Sequence, residues 1–149
     1  MTQEEFIKVL KKEKYSYEIE GDRIIVTGDG DVNLSALTSL SPGVEFRNGG
    51  NVDLDALTSL PPGVEFRNES DVWLDSLISL HPGVEFKNRG DVYLRSLTSL
   101  PPGVVFKNGG DVDLRSVTGN WFKYWKVNIE GIDSKRLLNV MIKQRVFER

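Results

Sequence analysis

The chain has 149 residues, 39% hydrophobic and 28% charged, with 19 basic against 22 acidic side chains and no cysteine. That balance fits one folded domain with a continuous core, and it excludes disulfides, thiolate metal sites, thiol nucleophiles and a global positive field for nucleic acid. No apolar run approaches the ~20 residues that cross a bilayer, and MTQEEFIKVLKKEKYSYEIE lacks the apolar stretch and cleavage site of a secretion signal, so a cytoplasmic location without a membrane partner is expected.

Taken in chain order, Thr2 and Glu5 form a capping-box pattern for a helix over about residues 3–14, with Phe6, Val9 and Leu10 on one face. YSYEIE and RIIVTG, joined by Gly21-Asp22, read as a hairpin. The chain then repeats itself at an offset of 20: DVNLSALTSLSPGVEFRNGG (31–50), NVDLDALTSLPPGVEFRNES (51–70), DVWLDSLISLHPGVEFKNRG (71–90) and DVYLRSLTSLPPGVVFKNGG (91–110). A fifth unit opens as DVDLRSVTGN at Asp111, and IIVTGDG (24–30) falls in register with VEFRNGG (44–50), so the repeat starts half a unit early. A fixed period of this size predicts a solenoid.

Within each unit, V-x-L and V-x-F alternate apolar with polar residues, as short strands with one buried face do. L-T-S-L-P-P-G between them is corner chemistry, and all six prolines lie there. Stacking the units predicts core columns of Val32, Val52, Val72, Val92 and Val112, of Leu34, Leu54, Leu74, Leu94 and Leu114, and of Phe46, Phe66, Phe86 and Phe106. Asn48, Asn68, Asn88 and Asn108 form a further column, expected to ladder side-chain amides at the second corner.

After the last unit, WFKYWKVNIE (121–130) reads as a strand. Asp133 or Ser134 can cap a helix over about 134–146 that turns Leu137, Leu138, Met141 and Ile142 towards the last coil. Trp121, Phe122, Tyr124 and Trp125 read as a cap on the core, or, among Lys123 and Lys126, as a cluster that stacks bases or grips a partner. The expected fold is therefore α+β: four to five coils of 20 residues in a single domain, with an N-terminal cap (1–22), the solenoid (23–118) and a C-terminal cap (119–149).

Outward columns that break the repeat are where function can sit. The position between Val and Leu runs Asn33, Asp53, Trp73, Tyr93, Asp113, which predicts an exposed aromatic pair bordered by acids, either a composition that protein interfaces favour or simple cross-strand stacking. The next outward column, Ser35, Asp55, Asp75, Arg95, Arg115, changes sign along the rod. Trp73, Tyr93, Asp53, Asp55, Asp75, Arg95 and Arg115 are accordingly the candidate partner-binding residues. On the other face Glu45, Glu65, Glu85 and Val105 lie beside Arg47, Arg67, Lys87 and Lys107, a pattern of diagonal ion pairs on a solvated face. As an alternative, those four cations form a stripe for phosphates.

Nothing points to an enzyme. His81, the only histidine, stands where other coils have proline or serine and reads as a turn residue, and Asp53, Asp55 and Asp75 lie on an open face that encloses no acid-base chemistry. No metal or cofactor is implied: NGGDVDL has Val and Leu where calcium-binding coils need glycine.

The phrase L-T-S-L-P-P-G-V-x-F-x-N-G-G-x-V-x-L-x-x-L, over residues 23–118, resembles bacterial and bacteriophage leucine-rich-repeat proteins with short repeats, in particular small phage or prophage proteins carrying G-D-V-x-L-x-S-L-T-S-L-P-x-G-V-x-F. The tail WKVNIEGIDSKRLLNVMIKQ is similar to tails on such proteins. Twenty residues leave no room for the convex helix of longer leucine-rich repeats, so the expected form is a straighter leucine-rich-repeat-like β-solenoid. The resemblance implies a host-cell cytoplasmic protein that binds a bacterial host protein, as an inhibitor of host defence. A nucleic-acid-binding accessory protein and a self-assembling structural solenoid are the other classes.

Overall fold

A computed structural model describes residues 1–117 of the chain. The expected aromatic strand, the C-terminal helix and the Trp121, Phe122, Tyr124 and Trp125 cluster lie outside the described residues.

Helix α1 (Gln3–Glu13) begins where the Glu5 amide donates to Thr2 Oγ1 at 3.2 Å and the Thr2 amide donates to Glu5 Oε2 at 2.8 Å. The two side chains satisfy amides that the first turn of a helix leaves unpaired. The helix ends one residue short of the expected boundary, because Lys14 takes a left-handed backbone (φ 63°, ψ 33°) and returns its amide to the carbonyls of Leu10 and Lys11. Phe6 and Leu10 are buried in the core and Val9 packs half-buried against it. β1 (Tyr17–Glu20) and β2 (Arg23–Val26) pair antiparallel around Gly21, completing the expected hairpin.

From β2 onwards all pairing is parallel and offset by one repeat. One sheet stacks β2, β4 (Val44–Phe46), β6 (Glu65–Phe66), β8 (Glu85–Phe86) and β10 (Val105–Phe106). The other stacks β3 (Val32–Asn33), β5 (Val52–Asp53), β7 (Val72–Trp73), β9 (Val92–Tyr93) and β11 (Val112–Asp113). The result is a β-solenoid of about four coils whose register is 20 residues throughout: Phe46 lies against Phe66, Phe66 against Phe86, and Val32 against Val52. Ile24 pairs with Val44, which places the start of the solenoid half a coil early, as expected.

The core lies between the sheets as columns of like residues. The Val and Leu columns are buried, and the four phenylalanine rings stack nearly parallel with centroids 5.1–5.5 Å apart. At the proline corner Gly43, Gly63, Gly83 and Gly103 have φ between 71° and 83°, a left-handed backbone that residues with a Cβ avoid. The N-terminal cap protects one edge of each sheet. β1 covers one, and the Tyr15 hydroxyl serves the other by accepting the Asn33 amide at 2.9 Å and donating to the Asn33 carbonyl at 3.2 Å.

The second corner differs from the expected amide ladder. The asparagine side chains do not bond to one another. Each buried Nδ2 donates at 3.0–3.3 Å to three carbonyls: one at the end of the preceding repeat and two in the turn that follows the asparagine. For Asn68 these are Gly50, Ser70 and Asp71. The physical demand at this corner is to satisfy the turn carbonyls that face inward, and one buried amide group placed between two coils serves several. A second ladder, formed by the first residue of each unit, was not anticipated. Asp31, Asn51, Asp71 and Asp91 each accept, through Oδ1, the backbone amide of the same position in the next coil at 2.7–3.1 Å.

Asn68→Asp tests the corner with little change in shape. A carboxylate there faces three carbonyl oxygens, so urea unfolding at pH 7 is expected to show a loss of more than about 3 kcal/mol. The buried acid binds its proton more tightly folded than unfolded, so part of the loss returns as pH falls. A loss that grows on acidification would contradict this arrangement.

Candidate functional site

The parallel register carries the outward residues of the second sheet into line. Trp73 lies beside Asp53 on one side and Tyr93 on the other, and Tyr93 lies beside Asp113. The two rings meet edge to face, with centroids 6.2 Å apart and planes at 64°. Both are half-buried rather than exposed as expected, each ring covering part of the other. Arg95 stands over the Tyr93 ring, its guanidinium carbon 4.9 Å from the centroid, and the Tyr93 hydroxyl donates to Asp91 Oδ2 at 3.2 Å. Asp91 is a site residue that the sequence reading missed. Its only signal is its spacing, two residues before Tyr93.

Asp55, Trp73, Asp75, Tyr93 and Arg95 together line a surface cleft of about 310 Å³. Five of the seven expected binding residues thus share one concavity, with Asp53 next to Trp73 in the sheet. Arg115 stands apart on the last described coil, bound to Asp113 at 2.7 Å.

Charge is distributed unevenly along this face. Arg95 bridges Asp75 at 3.3 Å and Asp113 at 3.0 Å, so the acids of the later coils are neutralised. Asp53 and Asp55 make no ion pair among the described residues. Burial pushes the Asp53 pKa up, and the charges of Asp55 and Asp75 add to the rise against the lowering effect of the Asp55 amide. Burial also opposes ionisation of Asp113, but hydrogen bonds from Arg115 and Arg95 outweigh it and hold that carboxyl below its usual range. Burial, followed by the charge of Asp91 and the hydrogen bond to it, raises the Tyr93 phenol.

On the other face the expected ion pairs form, and Glu45 lies deeper than a solvated face implies. Glu45 is 1% exposed and lies under three guanidinium groups: Arg23 at 3.2 Å, Arg67 at 3.4 Å, and Arg47. Arg23 and Arg67 also reach Glu65 at 3.4 and 3.2 Å, and Lys87 pairs with Glu85 at 2.8 Å. The hairpin residue Arg23 draws the carboxylates inward, a partner that the repeat pattern alone does not reveal. Of the four stripe cations, Arg47, Arg67 and Lys87 are therefore engaged by glutamates, and Lys107 has Val105 beside it instead.

Among the described residues, no three His, Cys, Asp or Glu side chains gather as metal ligands do, and no helix is long and apolar enough to cross a membrane. His81 is exposed at the proline corner, beside Pro82 and Pro62 in a shallow groove. Comparison of the chain with protein-family models, with curated proteins and with solved structures found no match.

The two shifted aspartates predict opposite pH behaviour. The Asp113 pKa is lowered on folding, so its ionisation stabilises the native state above the unfolded pKa, and this contribution is lost as pH falls through the folded value. Asp113→Asn is expected to cost roughly 0.5–1 kcal/mol at pH 7, a deficit that closes in acid. The Asp53 pKa is raised, so its ionisation opposes folding as pH rises. Asp53→Asn, which keeps Oδ1 as acceptor for the Asp55 amide, is expected to gain up to about 0.5 kcal/mol at pH 7, with the gain vanishing in acid. Thermal melts of the two variants from pH 3 to 8 measure both trends.

Proposed function

We propose that the chain is a leucine-rich-repeat-like β-solenoid serving as a non-enzymatic protein-protein interaction module, and that the Trp73/Tyr93 face engages its partner. The observation that carries this reading is the aromatic pair itself. At the same outward position the other coils hold Asn33, Asp53 and Asp113, so packing of the repeat does not require aromatic residues there. Two adjacent coils nevertheless place Trp and Tyr side by side in a cleft on a rigid sheet, rimmed by charge. Partly covered aromatic anchors within a polar rim are what binding hot spots are made of. The resemblance of the repeat to small phage and prophage proteins supports the more specific version, in which the partner is a bacterial host protein and the module inhibits a defence system. The alternative nucleic-acid reading is weakened by the glutamates that engage Arg47, Arg67 and Lys87.

The test is affinity capture from bacterial lysate with wild type and Trp73→Asp/Tyr93→Asp in parallel, both shown to be folded by circular dichroism, followed by reconstitution with the purified partner. Wild type is expected to retain a specific protein, with affinity falling about 30-fold or more in the double variant, as for a hot-spot pair. Equal affinity in the two would remove function from this face.

A further inference from the structure

The chemistry of what this face receives can be read from the repeat, on the premise that the face is a protein interface. The fourth coil supplies the reference. There the Arg95 guanidinium lies 4.9 Å from the Tyr93 ring centroid and is held by Asp75 of the coil before, at 3.3 Å, and by Asp113 of the coil after, at 3.0 Å. This is a cation on an aromatic face, fixed by carboxylates from flanking coils.

One coil earlier the ring and the carboxylate of the preceding coil recur without the cation, and Tyr93 stands where the following coil would supply the counterpart of Asp113. The ring is Trp73, a stronger cation platform than tyrosine. The preceding coil contributes Asp55, equivalent to Asp75, and adds Asp53 in register with the ring. The position that bears the guanidinium in the fourth coil is here Asp75 itself. Asp53 and Asp55 are already held in place through one oxygen each: Asp53 Oδ1 accepts the Asp55 amide at 3.1 Å, and Asp55 Oδ1 accepts the Asp75 amide at 2.9 Å. Their second oxygens are bound to no donor among the described residues. Trp73 and Asp55 line the cleft of about 310 Å³, at the lower end of the ~300–1,000 Å³ typical of ligand pockets.

We propose that Trp73, with Asp53 and Asp55, receives an arginine side chain from an extended basic segment of a partner protein, reproducing in trans what Arg95 does on Tyr93. A planar guanidinium can stack on the indole and donate to two carboxylates at once, whereas an ammonium offers a point charge. Phosphate-bearing partners are disfavoured by the same carboxylates. The raised Asp53 pKa agrees, since burial and the charges of Asp55 and Asp75 leave it in need of a counter-charge.

The test uses the full-length ¹⁵N-labelled protein, with the Trp73 indole N–H resonance assigned through Trp73→Phe. The probes are a blocked octapeptide of alternating glycine and arginine, its citrulline counterpart and an octathymidylate. The arginine peptide is expected to shift the Trp73 resonance saturably. Binding should weaken about five-fold or more with citrulline, and likewise in Asp53→Asn/Asp55→Asn, which retains both amide acceptors and so the fold. Equal response to the citrulline peptide, equal binding by the double variant, no response at Trp73, or a saturable response to the oligonucleotide would each overturn the arginine receptor. If lysate capture is lost in Trp73→Asp/Tyr93→Asp while Trp73 ignores the arginine peptide, the interface stands and the arginine receptor falls. If capture is indifferent to those substitutions as well, both fall.

Discussion

Everything outward on this molecule depends on a group that faces inward, the asparagine amide at the second corner. The turn between stacked coils leaves carbonyl oxygens that no strand pairs, and each buried Asn Nδ2 donates to three of them, drawn from both sides of a coil junction. Because the same donor serves two coils, sliding one coil against the next would break bonds at every corner. The ladder of first residues adds a second constraint of the same kind, tying each unit's first amide to the side-chain oxygen of the aspartate or asparagine one coil back. The 20-residue register is therefore set by hydrogen bonding as well as by apolar packing, and the outward columns inherit their alignment from it.

The periodicity made the architecture legible because a solenoid asks only which residues recur. The Val, Leu and Phe columns, the capping box, the hairpin and the half-coil start all follow from spacing, and all occur as read. Atomic detail at the corners did not follow. Whether an asparagine bonds to its neighbour or to the backbone is decided by where the turn carbonyls point, and the letter N is silent on that. The depth of Glu45 is hidden for a different reason: besides Arg47 and Arg67 of the repeat it meets Arg23, a residue that lies outside the repeat pattern. The clustering of Trp73, Tyr93, Asp55, Asp75 and Arg95 was legible because they stand in two adjacent outward columns. The half-burial of the rings was not, since it depends on how the two rings meet.

The two faces spend their charge differently. On the first sheet, guanidinium groups and carboxylates from the hairpin and successive coils interlock, and the densest point, Glu45, is withdrawn from solvent. On the second, neutralisation is complete only towards the later coils, where Arg95 and Arg115 meet Asp75 and Asp113. The unbalanced carboxylates are those next to the larger aromatic ring. A single rigid rod thus presents one side closed by its own ion pairs and one side whose charges and rings remain available.

The glycine that ends most units carries a consequence for how such a chain can grow. A Cβ on Gly50, Gly90 or Gly110 would come within 2.0–2.2 Å of a carboxylate oxygen, that of Asp31, Asp71 or Asp91 respectively. The one unit with a larger residue there, Ser70, also carries Asn51 where those units carry aspartate. Each glycine–carboxylate pair lies within a single unit of the sequence, its first residue against its last, while the backbone that crowds the same position belongs in part to the unit before. A segment copied or lost in the frame 31–50, 51–70, 71–90 or 91–110 therefore keeps this side-chain pair together. Cut half a unit out of frame, the same segment would bring a stranger's aspartate to its glycine. The rod can in this sense be lengthened or shortened as a gene changes by whole units, with the surviving outward residues keeping their places on the same face.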